Sequence, residues 1–339
     1  MKTAMFLKLT GLLALIALMP ACDLFKKDKT LTADEAKIEI RSATQNITNQ
    51  MDQMMTQPAM VSLNMLMELV GGSTDWDKQF RAALTETPRF DLPGLRKALE
   101  TSLGAYGQKT MKEIGETGVY HYNFSTGGFD LINPDVDYLR LYYPADDVAY
   151  ANQMLNAILT IYEMEYTLIE YEDEYGYYEE LIPLSINMNL FIDAEEVMSL
   201  TYQAAYHDNG FPSSVTASLQ MPPYAITESF SGSNRDYVSD FLYTLSGSTL
   251  MKHRLDIRYT ADMENLEKLS GYHIMSPLRM KGSVNPAAME LCGEADIQCL
   301  NNQIDIELWQ DDKDKLIGHL EFRMYHDQDW DEHYAVLVV

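Results

Sequence analysis

The sequence is poor in the features from which function is usually read. Its three cysteines are too few to supply all the ligands of a structural zinc site. The patterns G-x-S-x-G, H-E-x-x-H, G-x-x-x-x-G-K-[ST] and G-x-G-x-x-G are absent, so the usual signals for a hydrolase, a zinc protease or a nucleotide enzyme are missing. After residue 21, no charge-free apolar run approaches the about 20 residues that cross a bilayer. We therefore expect the remaining chain to fold outside the membrane.

Positive charge is also scarce. The chain has 25 Lys and Arg against 51 Asp and Glu, a formal net charge of −26. Such a field repels phosphate backbones and anionic lipid headgroups, so nucleic-acid binding is not expected. With 46% hydrophobic residues, 22 Tyr and 11 Phe, the chain can nevertheless bury a substantial core. We interpret the acidity as a solvated surface.

Residues 1–22 have the pattern of an export signal. Lys2 and Lys8 precede an apolar run of 13 residues from Leu9 to Ala21, and Cys22 follows at once. This is the pattern of a secretory signal peptide, which has a positively charged N-terminal region, a short apolar core and small residues before the cleavage site. A cysteine after the small residue resembles the bacterial lipoprotein signal, with Met19 in place of the usual Leu. The alternative is an ordinary signal peptide followed by an incidental cysteine.

The lipoprotein resemblance implies lipid attachment at Cys22. Residues 1–21 would be removed, and residues 22–31 would form a short tether to a lipid of two or three acyl chains, including palmitate. Two or more chains anchor a protein stably. The expected partner is therefore a membrane of the bacterial envelope. Asp23 is typical of inner-membrane retention in enterobacteria, but other phyla do not follow that rule, and we expect the outer membrane.

The remaining two cysteines, Cys292 and Cys299, bracket a short acidic segment. In an exported protein such an even pair favours a disulfide. A metal site is an alternative, but it would need further ligands and no His lies nearby in sequence. Two free thiols are the other alternative.

Residues 32–117 are expected to be helical. Thr32 and Glu35 fit a capping box, and apolar residues then recur every three or four positions up to Met54. Pro58 is placed to open a second, more apolar helix that ends at Gly71 and Gly72. Two further helices are predicted, over residues 75–84 and 93–114.

Residues 118–339 alternate apolar and polar positions instead. This pattern recurs over residues 120–124, 162–168, 186–192, 198–206, 215–221, 255–259, 304–308 and 316–324, with a strong hairpin signal at Asn209-Gly210. Strands with one apolar face indicate an antiparallel meander. The predicted fold class is therefore α+β, in which N-terminal helices pack on one face of a large meander sheet. The whole is expected to form one unit, and a half-barrel is one form that such a sheet can take.

Three stretches carry a resemblance to a known group. They are the region of Cys22, the strand Asp137-Tyr138-Leu139-Arg140-Leu141-Tyr142-Tyr143-Pro144, and the segment from Ile182 to Pro212 with its MSLTYQAAY and HDNGFPSS motifs. Together they are similar to uncharacterised envelope lipoproteins of Bacteroidota, helical at the front and β-rich behind. The resemblance implies no catalytic residue.

The remaining candidates for chemistry are weak. Asp327, Asp329 and Asp331 begin like a calcium loop, but Glu332 and Val338 stand where an EF-hand needs Gly and Glu. The methionines of residues 51–67 suggest soft-metal binding or, more simply, core filling. We assign no catalytic, cofactor-binding or metal-ligating residue.

Two functional classes follow from the sequence. The first is a lipid-anchored, non-enzymatic envelope protein that binds an unknown protein partner or an amphiphile. The alternative is a surface glycan hydrolase using a carboxylate pair, for which the six acidic residues between Glu170 and Glu180 are the candidates.

Overall fold

The computed structural model describes residues 33–70, 117–173, 176–207, 212–261, 265–292, 296–327 and 332–338. Its helices are α1 (Ala33–Met55), α2 (Pro58–Leu69), α3 (Asp147–Ala151), α4 (Pro286–Met289) and α5 (Ile297–Asn301), with a 3₁₀ turn at Asp311–Lys313. The first eight strands are β1 (Gly118–Asn123), β2 (Gly128–Asn133), β3 (Leu139–Tyr143), β4 (Ala157–Asp173), β5 (Gly176–Ile192), β6 (Glu195–Tyr206), β7 (Pro212–Met221) and β8 (Tyr224–Ser233). The last eight are β9 (Asp236–Leu245), β10 (Ser248–Tyr259), β11 (Leu266–Met275), β12 (Leu278–Val284), β13 (Ile304–Gln310), β14 (Lys315–His319), β15 (Glu321–Asp327) and β16 (Glu332–Val338).

The two N-terminal helices are confirmed. α1 ends at Met55, and Pro58 begins α2, because a proline at the first helical position gives up no helical hydrogen bond. Val70 ends α2 with backbone bonds to Leu66 and Glu68. The capping residue Thr32, the Gly71-Gly72 stop and the helices predicted over residues 75–84 and 93–114 lie outside the described residues.

Fourteen strands form one mostly antiparallel sheet. The order is β14-β13-β12-β11-β10-β9-β8-β7-β6-β5-β4-β3-β1-β2, so consecutive strands are neighbours from β3 to β14. This order is the predicted meander. The sheet departs from the predicted meander at its first strands. There β1 pairs in parallel with β3 and antiparallel with β2, which makes the sheet mixed. β14 and β2 are its two edge strands, and the sheet is not closed.

The turns explain much of this order. Asp193 and Ala194 both have positive φ between β5 and β6, as a two-residue hairpin turn requires. β6 and β7 pair from Ser199↔Gln220 to Tyr206↔Pro212, on either side of the predicted Asn209-Gly210 hairpin. That dipeptide itself lies outside the described residues.

The chain divides into two compact units, residues 50–227 and residues 1–49 with 228–339. The boundaries fall inside α1 and inside β8. In the unit of residues 50–227, α2 buries Met60 and Leu66, and its Ser62 hydroxyl donates a 3.0 Å hydrogen bond to the Tyr143 hydroxyl of β3. Burial raises the pKa of Tyr143. The methionines at 51, 54, 55, 60, 65 and 67 are all buried, as core filling predicts.

The other unit has its own core. Ala43 and Ile40 of α1 pack with Leu278, Leu308, Ile317 and Leu320 of β12–β14 and the residue after β14. Two polar contacts accompany this packing: Gln310 Nε2 donates to Glu39 Oε1 at 2.8 Å, and Lys313 Nζ lies 3.7 Å from the same oxygen. The first half of α1 is thereby held against the β13–β14 end of its unit.

One strand prediction needs correction. The pattern from Leu316 to Met324 predicts a single strand after the Asp311–Lys315 turn. The structure instead ends β14 at His319 and places Phe322 and Met324 in β15, which pairs with β16 in a separate two-stranded sheet. The Asn301 side chain of α5 donates to the Phe322 carbonyl oxygen and accepts from the Phe322 amide.

Candidate apolar pocket

The strands β9 to β13 carry one continuous apolar face. Residues that lie opposite each other on neighbouring strands form three rows across β9 to β13. Along each strand the rows are two positions apart, so the side chains of all three rows lie on one face of the sheet. The rows are Tyr237–Ile257–Leu269–Val284–Ile304, Ser239–Leu255–Gly271–Gly282–Ile306 and Phe241–His253–His273–Met280–Leu308. The intervening rows, such as Asp240–Arg254–Tyr272–Lys281–Glu307, belong to the opposite, polar face.

The middle row of this face has a gap. Gly271 and Gly282 lie directly opposite each other, and their φ angles are +143° and +154°. A Cβ atom at Gly271 would collide with the Arg254 carbonyl oxygen, and one at Gly282 would collide with that of Asp305. Only glycine fits both positions. Adjacent glycines inside strands mark a close approach of backbone or ligand.

A small, open pocket of about 50 Å³ lies at this gap. This is below the about 300–1,000 Å³ that is typical of small-molecule sites, so the pocket can enclose only part of a ligand. The walls are predominantly apolar; the apolar-face residues that line them are Leu255, Leu269, His273, Met280, Val284 and Ile306. Leu269 and Val284 are buried, whereas Leu255 and Ile306 are half-buried. The pocket therefore opens on the side of Leu255 and Ile306.

Polar side chains are few on this face and are grouped at one side of the gap. The imidazole rings of His253 and His273 lie 6.0 Å apart, and His253 stacks on Phe241. Ser239 Oγ lies 3.3 Å from His253 Nε2, and both residues are buried. Burial lowers the pKa of His273 to about 4, so its ring is neutral near pH 7. The pocket therefore offers apolar walls and one neutral hydrogen-bonding ring.

None of the site residues predicted from sequence is among those that line the pocket. Cys22 is outside the described residues. The Cα atoms of Cys292 and Cys299 are 5.7 Å apart and their sulfur atoms are at disulfide distance. Both belong to the connection between β12 and β13, in which the Asp296 carboxylate caps α5 by accepting from the Cys299 amide at 2.9 Å. This connection joins the two strands that carry Val284 and Ile306.

Sequence reasoning missed the pocket. Gly271 and Gly282 stand in strands β11 and β12, which the alternation did not single out, and their opposition depends on register. The available signal was a glycine in the interior of each of two successive strand-like segments. Within the described ranges, no group of three or more His, Cys, Asp or Glu side chains is placed to hold a metal ion. Among the described helices, none is both long and apolar enough to cross a membrane.

The chain matches no family model, no curated protein and no solved structure. Its function must therefore be argued from the pocket and the sequence.

Proposed function

We propose that this protein is a lipid-anchored, non-enzymatic component of a bacterial envelope, of the Bacteroidota lipoprotein type, and that it binds the hydrocarbon part of an amphiphile. The apolar pocket at Gly271 and Gly282 is the observation that carries the proposal. The lipid on Cys22 would hold the protein at the membrane, where amphiphiles are concentrated. The outer membrane is the proposed location.

The physical case rests on the apolar surface that lines the pocket. Hydrocarbon that covers the apolar walls of an open pocket removes apolar surface from water, which is favourable. Each methylene group moved from water into such a site gains about 0.8 kcal/mol. Met280 on the wall is suited to chains of different shape, because its unbranched side chain adapts to irregular gaps.

Chain-length dependence tests the pocket. We expect octanoate, decanoate and dodecanoate to bind with increasing affinity, measured by calorimetry below their micellar concentrations. Leu255→Trp should fill the pocket and weaken dodecanoate binding at least about tenfold. The matched control is Asp256→Trp, since Asp256 is the next residue but is exposed on the polar face. Equal affinities for all three acids, or equal losses in the two variants, would contradict the proposal.

Cys22 gives a separate test of the anchor. Cys22→Ser should release the protein from washed membranes into the soluble fraction, because the acyl chains can no longer be attached. A serine variant of Cys292 and Cys299 is the control and should stay with the membrane. Complete partitioning of the Cys22→Ser protein into detergent would show that the anchor lies elsewhere.

We further propose that the N-terminal helical part covers the apolar face of the sheet, which curves there as a half-barrel. The packing of Ile40 and Ala43 against Leu278 and Leu308 supports this proposal at one end of the face.

The glycan hydrolase alternative has no specific support among the described side chains. Its candidates between Glu170 and Glu180 have no described side chain.

A further inference from the structure

The β4–β5 hairpin extends beyond the strands on either side of it. β4 and β5 pair with each other along their whole length, from Ala157↔Ile192 to Asp173↔Gly176. β3, however, pairs with β4 only up to Ile161, and β6 pairs with β5 only from Ser185. In the described part of the chain, residues 163–173 and 176–183 thus form a two-stranded arm with no further strand on either edge.

The two edges of this arm are not equivalent. Pro183 interrupts the β5 edge, because proline has no backbone N–H to donate. The β4 edge runs from Tyr162 to Asp173 without proline, roughly 40 Å at about 3.3 Å per residue. A register shift at Tyr162 separates it from the part of β4 that pairs with β3. An open strand edge of this length is a template for another chain.

The negative charge of the arm indicates which kind of partner would bind to its edge. The described arm residues include seven acidic residues and no Lys, Arg or His. Two of them, Glu170 and Glu179, are directly opposed in the register, an arrangement that destabilises a hairpin unless positive charge is brought to it. A second copy of the arm would add like charge, and nucleic acid or an anionic lipid surface would be repelled. A segment that carries Lys or Arg is favoured.

We infer that the β4 edge is a docking site for an extended, Lys- or Arg-rich segment of a partner protein, which binds as an added strand. Backbone hydrogen bonds along β4 supply the pairing, and the arm's carboxylates supply the selectivity. The arm and the apolar pocket share no residue, so either can exist without the other.

N-methylated peptides distinguish strand addition from simple charge attraction. The probe is a peptide of alternating Lys and Val, titrated by calorimetry into the mature protein in detergent. Alternate N–H groups of an extended strand point to opposite sides. We therefore expect that methylating one alternate set of amides abolishes binding, whereas methylating the other set leaves the affinity within about threefold. Equal binding by both methylated peptides, or no binding by the parent peptide, would overturn the inference.

Charge variants test the selectivity. The triple variant Glu163→Gln, Glu165→Gln and Glu170→Gln should weaken binding of the parent peptide about tenfold at low ionic strength, as expected for the loss of three charge contacts with the peptide. The control neutralises three exposed carboxylates of the other unit, Asp256→Asn, Glu290→Gln and Asp305→Asn, and should change the affinity less than about twofold. Equal losses would mean that net charge alone attracts the peptide.

Hydrogen exchange tests the edge itself. Peptide binding should slow exchange of amides between 162 and 173 more than those between 176 and 183. Protection of the β5 edge instead, or self-association of the protein through the arm without peptide, would overturn the assignment to β4 and to a basic partner.

Discussion

Single residues set the character of the apolar face. Most of its positions are aliphatic or aromatic, and the exceptions have clear physical consequences. Gly271 and Gly282 remove side-chain volume from the centre of the face, and His273 adds a ring whose pKa burial lowers to about 4. The size and the polarity of the pocket therefore depend on three side-chain identities.

The glycines should not tolerate a side chain. We expect Gly271→Ala and Gly282→Ala each to lower the free energy of unfolding by more than about 3 kcal/mol, because the Cβ collides with backbone and φ is unfavourable for alanine. Gly128→Ala is the control, since the nearest heavy atom to its Cβ would be Thr126 Oγ1 at 4.0 Å. Urea unfolding measures all three. A stable Gly282→Ala protein would show that β12 and β13 are less close than described.

His273 should make stability depend on pH. Its folded-state pKa is about 4, below the ordinary value near 6.5, so between these values the unfolded chain binds more protons than the folded one. The free energy of unfolding should then fall as pH is lowered from about 6.5 to 4, by up to about 3 kcal/mol. His273→Leu should remove this component, whereas His319→Leu, at an exposed position, should leave it. An unchanged pH profile in His273→Leu would contradict burial of the ring.

At the scale of elements, short connections decide which strands become neighbours. Two-residue turns join β5 to β6 and β9 to β10, and the strands on either side of each turn pair directly. The connection from β12 to β13 is longer. It contains α4, the Cys292 and Cys299 pair and α5, and α5 also binds the start of β15 through Asn301. A disulfide there would shorten the flexible part of the connection between the strands that carry Gly282 and Ile306.

The cysteine pair should stabilise this connection. If Cys292 and Cys299 are joined in the exported protein, reduction should lower the free energy of unfolding by about 2–3 kcal/mol, because a loop of this size regains chain entropy. The double serine variant should be equally destabilised and insensitive to reductant. Non-reduced peptide mapping checks the bond itself. Free thiols at both positions in freshly isolated envelope protein, trapped by alkylation, would contradict the prediction.

At the scale of the whole molecule, helical residues contribute to both compact units. Ile40 and Ala43 complete one core, and Met60 and Leu66 complete the other. Full burial of such a side chain stabilises a protein by roughly 1.5–3 kcal/mol. The strands of either unit therefore depend on residues that precede β1.

A fragment of residues 118–339 should accordingly fail to fold. We expect it to be insoluble, or to show secondary structure without a cooperative unfolding transition, because the apolar faces lose their helical cover. Circular dichroism and thermal unfolding of the fragment and of the mature protein, prepared alike, make the comparison. A monomeric fragment with a sharp transition would mean that the β part is an independent domain.

The sequence by itself determined the local structure. Periods of about 3.6 and 2 residues distinguish the first helices from the strands, Pro58 separates α1 from α2, and the short turns imply a meander. These features depend on residues that are close in sequence, so they can be predicted without knowledge of the tertiary structure. The parallel pairing of β1 with β3 escaped prediction, because no local pattern records which strand joins an edge.

Only the tertiary structure decided the candidate sites. Gly271 and Gly282 form a gap because the β11–β12 register places them opposite each other, and a shift of one residue would separate them. Among the described strands, none pairs with this edge of β4 beyond Ile161, because β3 begins at Leu139, the partner of Ile161. Both sites follow from the alignment of distant segments. Local propensity cannot encode that alignment, since it is chosen by the burial of whole faces.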